Sequence, residues 1–367
     1  MKSLKTSSLF RLAALLLIAV ITICMVGFVA EGWQSEPQNE PESGETDENN
    51  GDTDENTDGG GKTEIPEPPS PPEYTHSLTG LEITAEESRQ KPLGFVMDAS
   101  SPLYGIYGSP LTIEIPVEGG QSRLLVYRDP SQNLGKVGSI SESRACITRL
   151  VDFFGGIAVY NGDSGAKAAQ AVARTSFDLS LNFGYAYTEN TNYLYSNGDL
   201  LLAGLQNAGI SISAAENVSL PFSFNPYFSD NVRYATSATT VTIPYSDANE
   251  TGLYFDASSR EYLLAKGGQT KNDLLNGKTV SYKNAFVLFS DATTYEGADR
   301  TEMIMDTDGG GTGYYFAEGS ACAITWRVDA LGNLTFFNEK GEILTVNRGT
   351  SYIAYYKAAM AENVVFS

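Results

Sequence analysis

The feature that most constrains this chain is the apolar run Leu12–Ala30, which follows three basic residues near the amino terminus. As a helix, about nineteen residues at 1.5 Å each cover roughly 28 Å, close to the hydrocarbon thickness of a bilayer. A cleavable signal usually has a shorter apolar core and a small residue where Phe28 stands. Lipidation of Cys24 would require a small residue in place of Ile23. The sequence therefore predicts an uncleaved anchor over residues 1–30, with cleavage and lipidation as alternatives.

The next segment, residues 31–75, is acidic and rich in Pro and Gly. Fourteen of the 45 acidic residues lie between Glu31 and Glu73 against the single Lys62, so this segment carries −13 of the net charge of −21. Few hydrophobic residues and strong self-repulsion predict a disordered, extended linker. The remaining chain is also acidic, at −11, which disfavours nucleic acid as a partner. We therefore expect a domain exposed outside the cell membrane and tethered to it.

Residues 76–232 alternate between runs typical of strands and runs typical of helices. A Thr84 and Glu87 capping box predicts a short opening helix, and Gly209 would close the last one. The predicted strands are 92–98, 111–117, 124–128 and 157–160, and the predicted helices are 142–154, 164–174 and 197–208. We expect a mixed α/β domain here.

Residues 233–367 have almost no helical pattern. Short β-rich runs recur between turn residues, at 239–243, 261–264, 285–289, 314–316, 323–328, 334–337 and 352–356. The sequence therefore predicts an α+β protein, with a mixed N-terminal domain followed by a mainly-β C-terminal domain.

Several short motifs resemble one family in the same order along the chain. They are His76-Ser-Leu-Thr-Gly-Leu81, Val117-Glu-Gly-Gly-Gln-Ser-Arg123, Leu134-Gly-Lys-Val-Gly-Ser139, Lys283-Asn-Ala-Phe-Val-Leu-Phe289, Thr325-Trp326 and Gly349-Thr-Ser-Tyr-Ile353. This set is similar to the YerB-like family of bacterial envelope lipoproteins, with N- and C-terminal DUF3048 modules and unknown function. The resemblance implies an envelope location and a two-domain organisation.

The chain departs from that family at polar positions. Tyr160-Asn-Gly-Asp-Ser164 replaces a His-His-Gly-Gly-Ser pattern, Thr191-Asn-Tyr-Leu194 replaces Pro-His-Asn-Leu, and Lys271 stands where a histidine is common. Of the family's paired arginines, Arg144 is the one retained. The resemblance therefore implies that a polar site present in relatives is largely lost here.

Histidine and cysteine chemistry is sparse. His76 is the single histidine, and Cys146 and Cys322 lie far apart in sequence. Zinc sites draw on His or clustered Cys ligands, and most serine or cysteine hydrolases need a His base. The sequence predicts no metal and no cofactor. It leaves open whether the two cysteines pair as an interdomain disulfide or remain buried thiols.

Three patterns suggest chemistry that does not need histidine. Ser164-Gly-Ala-Lys167, followed by Ser229-Asp-Asn231 and Lys278-Thr279, has the order of penicillin-recognising acyl enzymes, but Val280 replaces the expected Gly. Acidic residues at strand ends, including Glu114 and Glu118, are the type used in glycosidases, with solvated surface acids as the alternative. Asp306-Thr-Asp308 begins like a calcium loop, but Ala317 stands at the bidentate Glu position, which favours a β-hairpin turn.

The predicted function is non-catalytic binding or scaffolding in the cell envelope. Alternating tyrosines at 185, 187, 193 and 195 are typical of surfaces that hold glycans or peptides. Strand ends and helix starts should converge in the mixed domain, which predicts binding residues at Glu118, Arg123, Arg144, Asp163 and Ser164. The expected partner is an envelope polymer or protein that is anionic or sugar-rich. A cell-wall hydrolase or a serine acyl-enzyme using Ser164 and Lys167 is the alternative.

Overall fold

Long apolar runs and alternating apolar residues make this chain a protein of two large β-sheets. The computed structural model describes residues 72–130, 132, 134–162, 175–189, 191–213, 220–226, 233–296 and 301–367. The larger sheet has thirteen strands: β1 Leu93–Asp98, β2 Leu111–Pro116, β3 Ser122–Arg128, β4 Val137–Ile140, β5 Ile157–Tyr160, β6 Ser176–Asp178, β7 Leu194–Ser196, β9 Thr236–Ser237, β15 Asn284–Ser290, β18 Gly310–Ala317, β19 Ser320–Val328, β20 Leu334–Phe337 and β22 Ser351–Lys357.

The other strands form three smaller groups. A six-stranded sheet contains β10 Thr240–Ser246, β11 Asn249–Asp256, β12 Glu261–Lys266, β13 Gln269–Thr270, β14 Ser281–Tyr282 and β23 Val365–Phe366. Two further pairs are β16 Ala292–Glu296 with β17 Thr301–Met305, and β8 Ser223–Phe224 with β21 Thr345–Val346.

Two α-helices occur in the described residues, α1 Ala145–Phe154 and α2 Gly198–Asn207. The Asn197 side chain caps α2 by accepting a hydrogen bond from the Leu200 amide at 3.0 Å. Short 3₁₀ turns lie at Glu87–Arg89, Glu118–Gly120 and Ala358–Asn363. The Thr84 and Glu87 capping box is confirmed by reciprocal hydrogen bonds, although only a single 3₁₀ turn follows it.

Strand direction gives the large sheet two distinct ends. β3 is antiparallel to both β1 and β2, while β5 is parallel to β1 and β22 is parallel to β2. The four strands β1, β2, β5 and β22 therefore all begin at one edge, here called the amino end, and finish at the other, the carboxyl end. Each end collects the loops that precede or follow these strands.

The two faces of the large sheet carry separate hydrophobic cores. One face packs its residues, such as Phe95 and Val126, with the six-stranded sheet through Val241 and Leu264. The opposite face is covered by α1, which lies within the predicted helix 142–154 and buries Ile147, Leu150, Val151 and Phe154. Strands buried on both faces read as continuous apolar runs, which explains β15 and β22.

The fold is predominantly β, and the mainly-β character of the C-terminal part is confirmed. The mixed α/β character of the N-terminal part is not confirmed, because α1 and α2 are the two α-helices described there among many strands. The predicted helix at 164–174 lies outside the described residues.

Strands from both sides of the predicted boundary at 232/233 share the large sheet, since β22 pairs with β2 and with β15. The described residues all fall within one compact unit, Pro68–Ser367. Buried Asp273 also ties the two parts together by accepting the amide hydrogens of Gly105 and Tyr107, both at 2.9 Å. The boundary stays a prediction about folding units.

In the part of the chain that the structure describes, no helix has the length and apolar character needed to cross a bilayer. The predicted anchor 1–30 and Cys24 lie outside the described residues, as do residues 31–71 of the linker.

Candidate functional site

A groove at the amino end of the large sheet has a volume of about 1010 Å³. It passes the starts of β1, β2, β5 and β22 at Pro92, Pro110, Gly156 and Thr350. Its remaining walls are parts of segments 73–91, 129–132, 149–155 and 331–334. We call this feature the amino-end groove.

One wall of the groove is a tight hairpin over Tyr74–Ile83. The Ile83 amide donates to the Tyr74 carbonyl at 3.1 Å, and Gly80 adopts a positive φ of 65° at the turn. Leu78, only 1% exposed, inserts into the core on the α1 face. Arg348 donates to the Gly80 carbonyl, which fixes the hairpin against the C-terminal part. The motif His76–Leu81, which carried the family resemblance, is therefore a docked wall.

His76 is held by both of its ring nitrogens. Nδ1 accepts a hydrogen bond from the Leu78 amide at 3.0 Å, so Nε2 carries the proton that faces Asp129 Oδ1 at 2.9 Å. Neither nitrogen is free to take a proton from a substrate. His76 is thus locally hydrogen-bonded within the groove wall.

The charge of the groove is predominantly negative. Among its described lining residues, the acids Glu73, Glu82, Glu87, Asp129 and Asp152 outnumber the bases Lys91 and Arg149. Arg149 is itself engaged, with Asp152 at 3.0 Å and Asp308 at 3.1 Å. The groove therefore disfavours anionic ligands.

One polar atom in the groove wall lacks a hydrogen bond. Gln90 Oε1 is buried and has no hydrogen-bond partner within the described part of the chain. A buried acceptor without a donor costs free energy, so a rotation of the Gln90 side chain that brings this oxygen to a ligand hydroxyl or amine in the groove would give a net gain. Two apolar side chains, Leu81 and Leu331, are exposed at the rim.

The carboxyl end of the sheet is different, because its charges are paired with one another. Arg144, the residue before α1, has a side chain only 3% exposed and forms ion pairs with Glu118 and with Glu142, the latter at 3.1 Å. Burial alone would raise the pKa of Glu118, but hydrogen bonds from Arg144 outweigh it and hold that pKa below its ordinary value. We call these three residues the carboxyl-end cluster.

The sequence-predicted site residues have different positions. The structure brings Glu118 and Arg144 together, while Arg123 pairs with Asp98 at 3.3 Å. Asp163 and Ser164 lie outside the described residues, as does Lys167 of the acyl-enzyme alternative. Both arginines are already neutralised by carboxylates, which leaves little positive charge for an anionic ligand. Ligand binding by these residues stays a prediction.

Glu114 is fully buried between the two large sheets. One carboxylate oxygen accepts from Lys266 Nζ and Ser122 Oγ, and the other accepts from Tyr352 and, at 2.8 Å, from Thr251. Burial would raise its pKa, but Lys266 and these donors outweigh burial and hold the pKa below its ordinary value.

The glycosidase alternative fails for Glu114 and Glu118, because each is engaged in its own ion pair. Glu114 pairs with Lys266, whereas Glu118 pairs with Arg144. Glu114 also stands opposite Leu124, which packs in the core between the sheets, whereas Glu118 lies in the turn after β2. Because Glu114 is completely buried, it cannot contact a substrate, so these two carboxylates do not form a catalytic pair.

The two described cysteines are unpaired. Burial raises the pKa of each thiol to about 11, so neither is a reactive nucleophile near neutral pH. The interdomain disulfide considered from the sequence is therefore absent.

The carboxylates of Asp306 and Asp308 are both engaged within the protein. Asp306 Oδ1 accepts from the Asp308 amide at 3.0 Å, and Asp308 binds Arg149. The loop joins β17 to β18, which do not pair with each other, so the predicted hairpin turn was also wrong. Within the described ranges, no group of three or more potential metal ligands is assembled.

Sequence reasoning missed the amino-end groove. Its residues come from segments more than 250 positions apart, and no single motif marks them. The one available signal was the His76 motif, which the resemblance highlighted without indicating what the motif does.

Comparison with known proteins agrees with this architecture. Residues 241–353 match the model of the DUF3048 C-terminal domain, a protein family of unknown function. A search of curated proteins finds no match. The crystal structure of the YerB protein from Bacillus subtilis is similar, with 19% identity, a TM-score of 0.68, and coverage of 80% of this chain and 99% of that one. The resemblance in the sequence motifs is therefore confirmed: residues 241–353 match the DUF3048 C-terminal domain, and the fold is similar to that of the YerB protein.

Proposed function

We propose that this protein is a membrane-tethered, extracytoplasmic binding module that holds a sugar-rich polymer of the bacterial envelope in the amino-end groove. The observation that carries the proposal is the groove itself, which combines a volume of about 1010 Å³ with an orphan acceptor at Gln90. Polar walls with a few apolar contacts suit a carbohydrate, which offers many hydroxyl donors along an extended chain.

Charge narrows the ligand class. Surplus carboxylates in the groove favour neutral or amine-bearing chains over phosphate-rich ones.

Binding is favoured over catalysis by the state of the titratable groups. His76 has both nitrogens engaged, the thiols have raised pKa values, and Glu114 and Glu118 are ion-paired. Each group is stabilised in a resting role, whereas catalysis requires a group poised to exchange protons or attack.

The same proposal includes the location of the protein, with the folded unit on the outer side of the cell membrane. The apolar run Leu12–Ala30 would span the bilayer with its basic end inside, and the linker would extend the folded unit outward. Protease added to intact cells should then remove the folded unit while leaving an anchor fragment. Complete protection in intact cells would contradict the outward orientation.

We also propose that residues 76–232 form a mixed α/β module. The parallel pairs of β5 with β1 and with β6, and the position of α1 between β4 and β5, support this arrangement. Limited proteolysis should cut near residue 232 and leave two protected pieces that stay associated through β2 and β22, and cutting only outside residues 72–367 would argue against a separate module.

The binding test uses Gln90→Leu in the full chain. This change removes the orphan acceptor without breaking a hydrogen bond of that oxygen, so stability should hold while retention on purified cell-wall glycan falls about tenfold, as for one lost ligand hydrogen bond.

Tyr355→Phe is the matched control, because it also removes a buried hydroxyl without a partner in the described chain, but on a side chain that does not line the groove. It should bind as the wild type does. Equal retention of all three proteins, or loss only when Arg123 and Arg144 are changed, would move the site away from the groove.

A further inference from the structure

The loop after β6, residues 179–189 and 191–193, presents two strongly exposed apolar side chains. Leu181 is 76% exposed and Phe183 is 85% exposed, and Tyr193 on the return is 40% exposed. Apolar side chains of this size, close together on one loop, mark a surface that meets an apolar partner. We call residues 179–189 and 191–193 the tip loop.

The amino-terminal side of the tip loop is fixed by Asp178. Its Oδ1 accepts from the Gly162 amide at 2.8 Å and from the Ser180 amide at 2.9 Å, and its carbonyl accepts from Asn182 at 2.7 Å. Asn182 therefore turns back toward the sheet between Leu181 and Phe183, which project into solvent.

The carboxyl-terminal side of the tip loop is fixed by a cluster of aromatic rings. Tyr187 and Tyr195 exchange two backbone hydrogen bonds, of 2.8 and 2.9 Å. The Lys136 ammonium lies 3.9 Å from the ring centroid of Tyr104 and 3.8 Å from that of Tyr195, and it also pairs with Glu189. The tip is thus presented by a fixed base, so little ordering entropy opposes its contact with a partner.

The chemistry of the tip loop matches a bilayer surface. Residues 179–188 contain no charged side chain, and the one acid that follows, Glu189, is neutralised by Lys136. Tyr185, Tyr187 and Tyr193 flank the apolar tip, and tyrosine is enriched at the boundary between lipid headgroups and acyl chains. An uncharged loop on an acidic protein also avoids repulsion from anionic lipids.

We propose that Leu181 and Phe183 insert into the outer surface of the membrane to which the protein is tethered, giving the folded unit a second, reversible contact with lipid. This inference rests on the proposed tether. The composition of residues 31–71 predicts a flexible linker, for which a root-mean-square reach of roughly 35 Å is expected, and self-repulsion would extend it further. A linker with this reach can pass along a six-residue strand and its loops, and so from the amino end of the large sheet to the carboxyl end.

The arrangement sets the orientation of the molecule. The tip loop follows β6, which runs parallel to β5, so it lies at the carboxyl end of the sheet. Insertion there would direct the amino-end groove away from the bilayer, toward the envelope polymers.

The test places a fluorescent reporter at the tip of the full chain in phosphatidylcholine vesicles. A Trp33→Phe background leaves Trp326, which is 2% exposed, as the remaining native tryptophan. Phe183→Trp is then compared with Leu331→Trp, since both positions are 85% exposed but Leu331 lies at the groove. Lipids brominated on their acyl chains should quench the Phe183→Trp protein several-fold more than the Leu331→Trp protein.

The outcomes separate the two proposals. Failure of the full chain to float with vesicles would overturn the membrane tether and, with it, the tip contact. Flotation with equal, weak quenching of both variants would overturn the tip contact alone. A lipid-independent blue shift in the Phe183→Trp protein that grows with its concentration would assign the tip to a second copy of the chain, and would also overturn it.

Discussion

The two ends of the large sheet use charge in opposite ways. At the carboxyl end, Arg144 is buried against Glu118 and Glu142, and at the core between the sheets Glu114 is buried against Lys266. At the amino end, surplus carboxylates line an open groove, and the buried Gln90 Oε1 in its wall has no hydrogen-bond partner among the described residues. The difference teaches that the most conspicuous charged residues in the sequence hold the fold together, while the open surface uses polar residues that no motif marks.

The largest expected loss of stability is at the buried ion pair of Glu114 with Lys266. Lys266→Met leaves the Glu114 carboxylate uncompensated in the core and should lower the free energy of unfolding by about 3–5 kcal/mol. Lys271→Met is the matched control, because burial lowers the pKa of Lys271 and no carboxylate partner is described for it. That control should be neutral or slightly stabilising in urea unfolding. Equal losses from both variants would show that the pair contributes nothing specific.

A smaller loss is expected at the carboxyl-end cluster. Arg144→Met removes the hydrogen bonds to Glu118 and Glu142, whose side chains are 30% and 32% exposed and can recover water. Urea unfolding should show a loss of about 2 kcal/mol, in the range for hydrogen bonds to charged groups. Glycan retention should be unchanged. A fall in retention without a fall in stability would make this cluster, and not the groove, the binding surface.

The pH dependence of stability should be smaller still, and it has a definite sign. The pKa values of Glu114 and Glu118 lie below their ordinary value of 4.5 in the folded protein, so the unfolded chain binds protons first as pH falls. Their contribution is complete above pH 4.5 and is lost as pH drops through the folded values. Unfolding followed from pH 7 to pH 3 should show this decline, with a shallower slope in Arg144→Met. Rising stability below pH 4.5 would contradict the paired arrangement.

Local sequence patterns predicted the elements whose burial can be read from their own residues. The continuous apolar run of β15 and the one-sided helix α1 could be read directly from the sequence. β11 was missed, because Gly252 interrupts it and polar residues occupy both ends. Its burial depends on pairing with β10 and β12, which the local sequence does not encode.

The candidate site was harder to predict than the fold. The sequence predicted that loops converge at the carboxyl ends of strands, but it did not predict the ion pair of Glu118 with Arg144 that forms there. The amino-end groove exists because Leu78 enters the core and Arg348 holds the Gly80 carbonyl, a contact across 268 positions. Such docking depends on the finished fold, so the groove could not be read from the sequence.

The most direct test of this account is hydroxyl-radical footprinting of the full chain with and without purified cell-wall glycan. The account predicts protection at the amino end, in residues 73–91, 129–132, 149–156 and 331–334, with no change around Asp98, Glu118, Arg123 and Arg144. Protection confined to those carboxyl-end residues, with the groove unaffected, would contradict it.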